Sequence, residues 1–94
     1  MKINYDPEFL RKLKKVDVRI SRSLKKRIEI FIKNPNDPQL KNHLLKDEYE
    51  GYKSIDITAD WRAIYEEIEE EEENIAYFFL IGTHKKLYRK TRKK

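Results

Sequence analysis

The chain has 94 residues, 38% of them hydrophobic and 41% charged, with no cysteine and a formal net charge of +5. That leaves room for one modest core, read as a single domain over residues 1–94, and excludes disulfide frameworks, thiolate metal sites and thiol redox chemistry. No apolar run approaches the roughly 18 to 20 residues of a membrane span, and Met1-Lys2-Ile3-Asn4 lacks the apolar stretch of a signal peptide, so a cytoplasmic protein without a membrane partner is expected.

The charge is unevenly spread. Residues 1–46 hold 13 Lys/Arg against 5 Asp/Glu, residues 47–84 hold 2 against 12, and the tail 85–94 holds 7 against none. A polyanion is attracted to the two ends and repelled by the middle, which predicts a polarised binding surface.

In chain order, Ile3 and Tyr5 alternate with polar neighbours as a short strand, and Asp6-Pro7 supplies a helix cap and a first-turn proline. Phe9, Leu10, Leu13 and Val16 then recur at helical spacing opposite Arg11, Lys12, Lys14 and Lys15. Asp17 caps a second helix with a stripe of Ile20, Leu24, Ile28, Phe31 and Ile32, closed by Asn34-Pro35. Asn36-Asp37-Pro38 is a loop, and Leu40 to Leu45 carries His43 toward the acidic turn Asp47-Glu48-Tyr49-Glu50-Gly51. The period then changes to two: Ile55 and Ile57 alternate with Ser54, Asp56 and Thr58. Trp61 to Ile68 and Asn74 to Ile81 read as two more strands joined through Glu69 to Glu73. The second is apolar on both faces and predicts a central strand covered on two sides. The expected fold is α+β. A short N-terminal strand and two helices lie on one face of a mostly antiparallel sheet of four to five strands, followed by a short C-terminal helix or basic tail.

Candidate chemistry gathers at the ends of these elements. Metal-independent RNA cleavage needs a base for the 2′-hydroxyl proton, an acid for the 5′-oxygen and a cation or donor for the phosphate. His43 and His84 are the two histidines, and each alone is an ordinary surface residue. His84, however, follows Gly82-Thr83 where the apolar strand ends, and precedes Lys85, Lys86, Tyr88 and Arg89, a basic run with an aromatic that offers phosphate contacts and a stacking platform. The competing reading is a solubilising basic helix or tail held by Leu87 and Tyr88. Asp56 and Asp60 share parity and flank the polar face if their strand continues. Asp60 capping a turn while Trp61 packs in the core is the competing reading. Lys53 and Arg62 are the two basic residues of the acidic middle, hence candidates for phosphate contact or for pairing with neighbouring glutamates. The glutamate run lacks the spaced ligands and turn glycine of a calcium loop, and no metal or cofactor is expected.

Taken together, His43-Leu44-Leu45-Lys46, Tyr52-Lys53-Ser54-Ile55, Asp60-Trp61-Arg62-Ala63-Ile64-Tyr65 and Ile81-Gly82-Thr83-His84-Lys85-Lys86-Leu87-Tyr88 resemble the YafQ branch of the RelE/ParE toxin superfamily. The resemblance implies the toxin of a type II toxin-antitoxin pair, an endoribonuclease that cuts mRNA, often on the ribosome, and is neutralised by a cognate antitoxin. It implies that His43, Asp60, Trp61, His84 and Tyr88 belong to or border the active site. Position 88 is usually phenylalanine in that family, and position 56 commonly a second strand histidine that takes part in acid/base catalysis. Aspartate there can accept a proton but, with an ordinary pKa of about 3.9, is a poor general acid at neutral pH unless burial or a neighbouring carboxylate such as Asp60 raises it. Three alternatives stand beside the ribonuclease reading: a ParE-like inhibitor of DNA gyrase, a toxin weakened to an RNA- or antitoxin-binding module, and a non-enzymatic RNA-binding domain.

Overall fold

A computed structural model of the chain describes residues 1–88, so Arg89 and the rest of the basic tail lie outside the described residues. The elements run β1 (Lys2–Tyr5), α1 (Pro7–Leu13), α2 (Val18–Lys33), β2 (His43–Leu44), β3 (Lys53–Asp56), β4 (Trp61–Glu69), β5 (Asn74–Thr83) and α3 (His84–Leu87). Both long helices begin where their caps predict. The Asp6 carboxylate accepts the Glu8 N–H at 2.9 Å and that of Asp17 accepts the Arg19 N–H at 2.8 Å, each satisfying a first-turn donor that has no partner inside its helix. Asp6 also accepts the Tyr77 hydroxyl, which ties the start of α1 to β5.

Helix α1 ends at Leu13, short of Val16, and buries Phe9 while Leu10 stays exposed. In α2, Leu24, Ile28 and Phe31 are buried as the stripe predicts, but Ile32 is 54% exposed. One residue beyond Phe31 is about 100° further round the helix, and Ile30 packs against the core in its place.

Among the described residues the sheet has five strands in the order β1-β5-β4-β3-β2, with β1 parallel to β5 and the other neighbours antiparallel. The α+β layout is the expected one, with two refinements. The middle strand is β4, with β5 interior beside it, and the Leu40 to Leu45 stretch that carries His43 contributes a two-residue edge strand. The helices cover one sheet face, where Phe9, Leu24, Ile28 and Phe31 meet Ile55, Ala63, Tyr65, Ala76, Phe78 and Ile81. Phe31 meets Tyr65 and Phe78 edge-on at ring-centroid distances of 5.2 and 5.7 Å, an arrangement favoured by the ring quadrupoles.

A bulge explains why β5 is apolar on both faces. Ile64 pairs with Leu80 but Tyr65 with Phe78, so Phe79 is the extra residue. Phe78 and Ile81 therefore both face the helices, three apart instead of an even number, while Phe79 and Leu80 join a second cluster on the opposite face with Leu45, Ile64 and Leu87. Gly82 lies beneath Leu87, and a Cβ there would sit 3.2 Å from the leucine side chain. A glycine is what lets α3 fold back onto the sheet. Among the described residues no helix is long and apolar enough to cross a membrane.

Phe31 is fully buried at the centre of the aromatic contacts. Phe31→Ala is expected to lower unfolding stability by about 3–5 kcal/mol in a urea titration; a loss under about 1 kcal/mol would contradict the packing of α2 described above.

Candidate functional site

On the face opposite the helices, the end of β5 and the edge of the sheet enclose a cleft of about 560 Å³, lined by Lys41, His43, Leu44, Leu45, Lys46, Asp47, Asp56, Arg62, His84 and Tyr88. It combines residues from four segments. The Lys41–Asp47 stretch includes β2, Asp56 closes β3, Arg62 is the second residue of β4, and His84 and Tyr88 belong to the α3 turn.

The register places each of them. His43 pairs with Ser54 at the sheet edge, and Asp56 lies directly across from Arg62. Adjacent antiparallel partners project to the same side, and here the Arg62 Nε and Asp56 carboxylate form an ion pair at 3.0 Å, with both side chains about 15% exposed. Arg62 Nη1 also donates to the carbonyls of Thr58, Ala59 and Trp61. Arginine suits this place because its planar fork reaches several acceptors at once.

His43 Nδ1 lies 2.8 Å from the Lys41 carbonyl oxygen. A carbonyl only accepts, so the shared proton is on Nδ1, and in the neutral ring Nε2 is the basic nitrogen. The other histidine is set by its backbone. Thr83 caps α3 through its hydroxyl, which accepts the Lys86 N–H at 3.2 Å, and the His84 N–H donates to the Asp60 carbonyl at 2.6 Å. The His84 ring rests against Tyr88 at 4.7 Å, and Tyr88 in turn packs edge-on against Tyr49 at 6.0 Å.

Of the sequence-predicted residues, the structure therefore gathers His43, Asp56, Arg62, His84 and Tyr88 around one cleft. Asp60 is not beside Asp56. β3 stops at Asp56, and the chain turns with the Thr58 hydroxyl accepting the N–H groups of Asp60 and Trp61, which puts Asp60, Trp61 and Lys85 in a separate hollow of about 390 Å³ on His84. The shared parity of the two aspartates held only if the strand continued. Trp61 is half-buried and also packs against the main core.

Lys53 is outside both hollows. It pairs with Glu67 at 2.8 Å across the neighbouring strand, the pairing alternative for this lysine. Lys86 is exposed and lines neither, and Arg89 lies outside the described residues. Lys41 and Lys46, which bracket His43 at −2 and +3, also line the cleft, although neither was among the candidate site residues. Their signal was the basic flank of the histidine itself. Among the described residues no three His, Asp or Glu side chains gather as metal ligands.

Residues 1–89 match the family of bacterial toxins of type II toxin-antitoxin systems, YafQ. The chain belongs to that family. Among solved structures it is similar to YafQ from E. coli strain BL21(DE3), at a TM-score of 0.71 and 25% identity over 93% of this chain and 97% of that one. It is similar in fold to a YoeB/ParE toxin from Agrobacterium tumefaciens, at a TM-score of 0.71 and 22% identity over 89% of this chain and 99% of that one. A third similar structure is the toxin in the E. coli DinJ-YafQ complex, at a TM-score of 0.69 and 25% identity over 93% of this chain and 97% of that one. No curated protein gives a match.

Two outcomes test the electrostatics. Removing Arg62 leaves the carboxylate of Asp56 without its cation in a largely enclosed place. Asp56→Ala and Arg62→Ala should therefore be non-additive in unfolding stability, with a coupling of about 1–2 kcal/mol in a double-mutant cycle, and additivity would mean the pair contributes nothing. The Lys53–Glu67 pair has a pH signature. The hydrogen bond from Lys53 holds the Glu67 carboxyl below its ordinary 4.5, with a further bond from Asn74. That contribution is present above pH 4.5 and is lost as pH falls through the depressed folded value, whereas the raised Lys53 contributes below 10.5 and is lost as pH rises past it. Glu67→Gln should flatten the acid limb of stability against pH by roughly 0.2–1 kcal/mol, as befits a partly exposed pair.

Proposed function

We propose that this toxin of a type II toxin-antitoxin system is an endoribonuclease that cuts mRNA without a metal ion, on the ribosome, and so stops translation. The observation that carries the reading is the convergence of His43, His84, the Asp56–Arg62 pair and Tyr88 on one cleft bordered by Lys41 and Lys46.

In this reading His43 Nε2 takes the proton of a 2′-hydroxyl. The 2′-oxygen attacks phosphorus, the bond from phosphorus to the 5′-oxygen breaks, and protonated His84 gives the leaving oxygen its proton. The products are a 2′,3′-cyclic phosphate and a free 5′-hydroxyl. Arg62 Nε faces Asp56 and Nη1 faces three carbonyls, so Nη2 meets the phosphate, whose charge Lys41 and Lys46 also balance. Tyr88 supports the His84 ring and offers an aromatic face to an unpaired base. Trp61, Asp60 and Lys85, in the hollow on the other side of His84, serve a neighbouring nucleotide. Lys86 and Arg89 add to the basic end that draws RNA in. Asp56 does not supply the acid here, because its carboxylate is committed to Arg62.

A cognate antitoxin is the second partner. The toxin of the E. coli DinJ-YafQ complex has a similar structure, and the exposed basic residues of α1 and α2 suit an amphipathic, partly acidic antitoxin segment. The commitment of Asp56 to Arg62 favours one other reading, a weakened toxin that binds RNA and antitoxin without cutting.

The deciding measurement is mRNA cleavage in a translating extract. Wild type should cut there, and His84→Ala or His43→Ala should lower the rate by about 10²–10⁴-fold. Steeply salt-dependent RNA binding with no cleavage product would establish the weakened module instead.

A further inference from the structure

We infer that Asn42 is a positioning residue that decides which nitrogen of His43 accepts the substrate proton; this rests on the cleavage reading of the cleft.

The bond from His43 Nδ1 to the Lys41 carbonyl depends on an unusual backbone. Lys41 follows the short turn Pro38–Leu40 with φ 49° and ψ 42°, the left-handed region that a residue with a Cβ adopts reluctantly. That conformation directs the Lys41 carbonyl at the His43 ring. Both Lys41 and His43 are exposed, and their side chains have little around them to hold the bend.

Asn42 sits between them and is tied down twice. Its side-chain amide donates to the Pro35 carbonyl at 3.0 Å and to the Tyr65 hydroxyl at 2.7 Å. Both amide hydrogens are thereby used. Tyr65 is 1% exposed on the middle strand and locked edge-on against Phe31. The residue between the bent Lys41 and the working histidine is thus anchored both to the loop that leaves α2 and to the centre of the sheet.

The chemical consequence follows from the tautomer. While Nδ1–H is held by a carbonyl, the neutral ring keeps its lone pair on Nε2. If Lys41 relaxes, Nδ1–H loses its acceptor, and part of the population places the proton on Nε2, which then accepts nothing. Loss of Asn42 should accordingly lower kcat by much more than it changes KM, because the base loses its orientation while the long, exposed Lys41 side chain still borders the cleft. Partners that orient a working histidine typically matter by about 10–100-fold.

The test uses the full chain with ¹⁵N-labelled histidine, comparing wild type, Asn42→Ala and Tyr65→Phe. Two readouts are the His43 tautomer, from long-range proton–nitrogen NMR, and the pH profile of RNA cleavage. In wild type His43 should be a single Nδ1–H tautomer when neutral. Asn42→Ala should give a mixture and a kcat lower by about 10–100-fold, with a much smaller change in KM. Tyr65→Phe keeps the buried ring and removes one of the two anchors, so it should shift both readouts in the same direction by less, and it decides the matter if Asn42→Ala does not fold. An unchanged tautomer in a folded variant, or a mixed tautomer with full kcat, would overturn the inference. A wild-type protein that cuts no RNA would overturn the cleavage reading alone, since the tautomer shift is measured without substrate.

Discussion

The antiparallel ladder between β4 and β5, running from Trp61↔Thr83 to Glu69↔Asn74, is the constraint on which both core and cleft depend. One end of it forms the glutamate hairpin and the other delivers Arg62 and His84 to the same place. The bulge at Phe79 resets the phase between those ends. Phe78 and Ile81 can both enter the helix-side core, and Gly82 falls opposite Arg62 on the cleft side, where its missing side chain leaves room for Leu87. Without that one-residue offset the apolar phase that serves the core at Phe78 would put Ile81 on the opposite face.

Much of this was legible in the chain itself, for identifiable reasons. Asp6-Pro7 and Asp17 mark helix starts because a capping carboxylate acts over two residues, with no tertiary information required. The apolar period of α2 and the alternation in β3 are likewise local. What escaped depends on distance along the chain. A two-residue strand such as His43–Leu44 has no period to detect and exists only because β3 offers it an edge. Ile32 belongs to the apolar stripe by spacing yet is exposed while Ile30 packs against the core, an arrangement that the apolar period alone does not fix.

The candidate site divides along the same line. His84 was found because Gly82-Thr83-His84 is a local device: space for Leu87, a hydroxyl cap, then a projecting ring. The partner of Asp56 was not found by parity, because parity assumes an uninterrupted strand and Thr58 instead turns the chain with its own hydroxyl. The turn that carries Asp60 away is also the turn that sets Asp56 opposite Arg62. Lys53 shows the converse case: its pairing with Glu67 follows from strand adjacency, which no count of charges along the chain supplies.

The Asp56–Arg62 pair also changes how the cleft should be understood. Where the resembling family commonly has a histidine at position 56, a cation that can give up its proton, this chain has a carboxylate answered by a guanidinium. The negative charge of Asp56 lies against the positive charge of Arg62 on the neighbouring strand, so the pair presents a dipole rather than a bare charge to the cleft. In the cleavage reading proposed above, proton transfer falls to His43 and His84, and among the described residues His43 is the one of the two whose ring nitrogen meets a main-chain acceptor. A site with fewer titrating groups depends more heavily on the orientation of those that remain. That dependence is why a doubly anchored asparagine next to His43 carries more weight here than it would beside a third proton-carrying side chain.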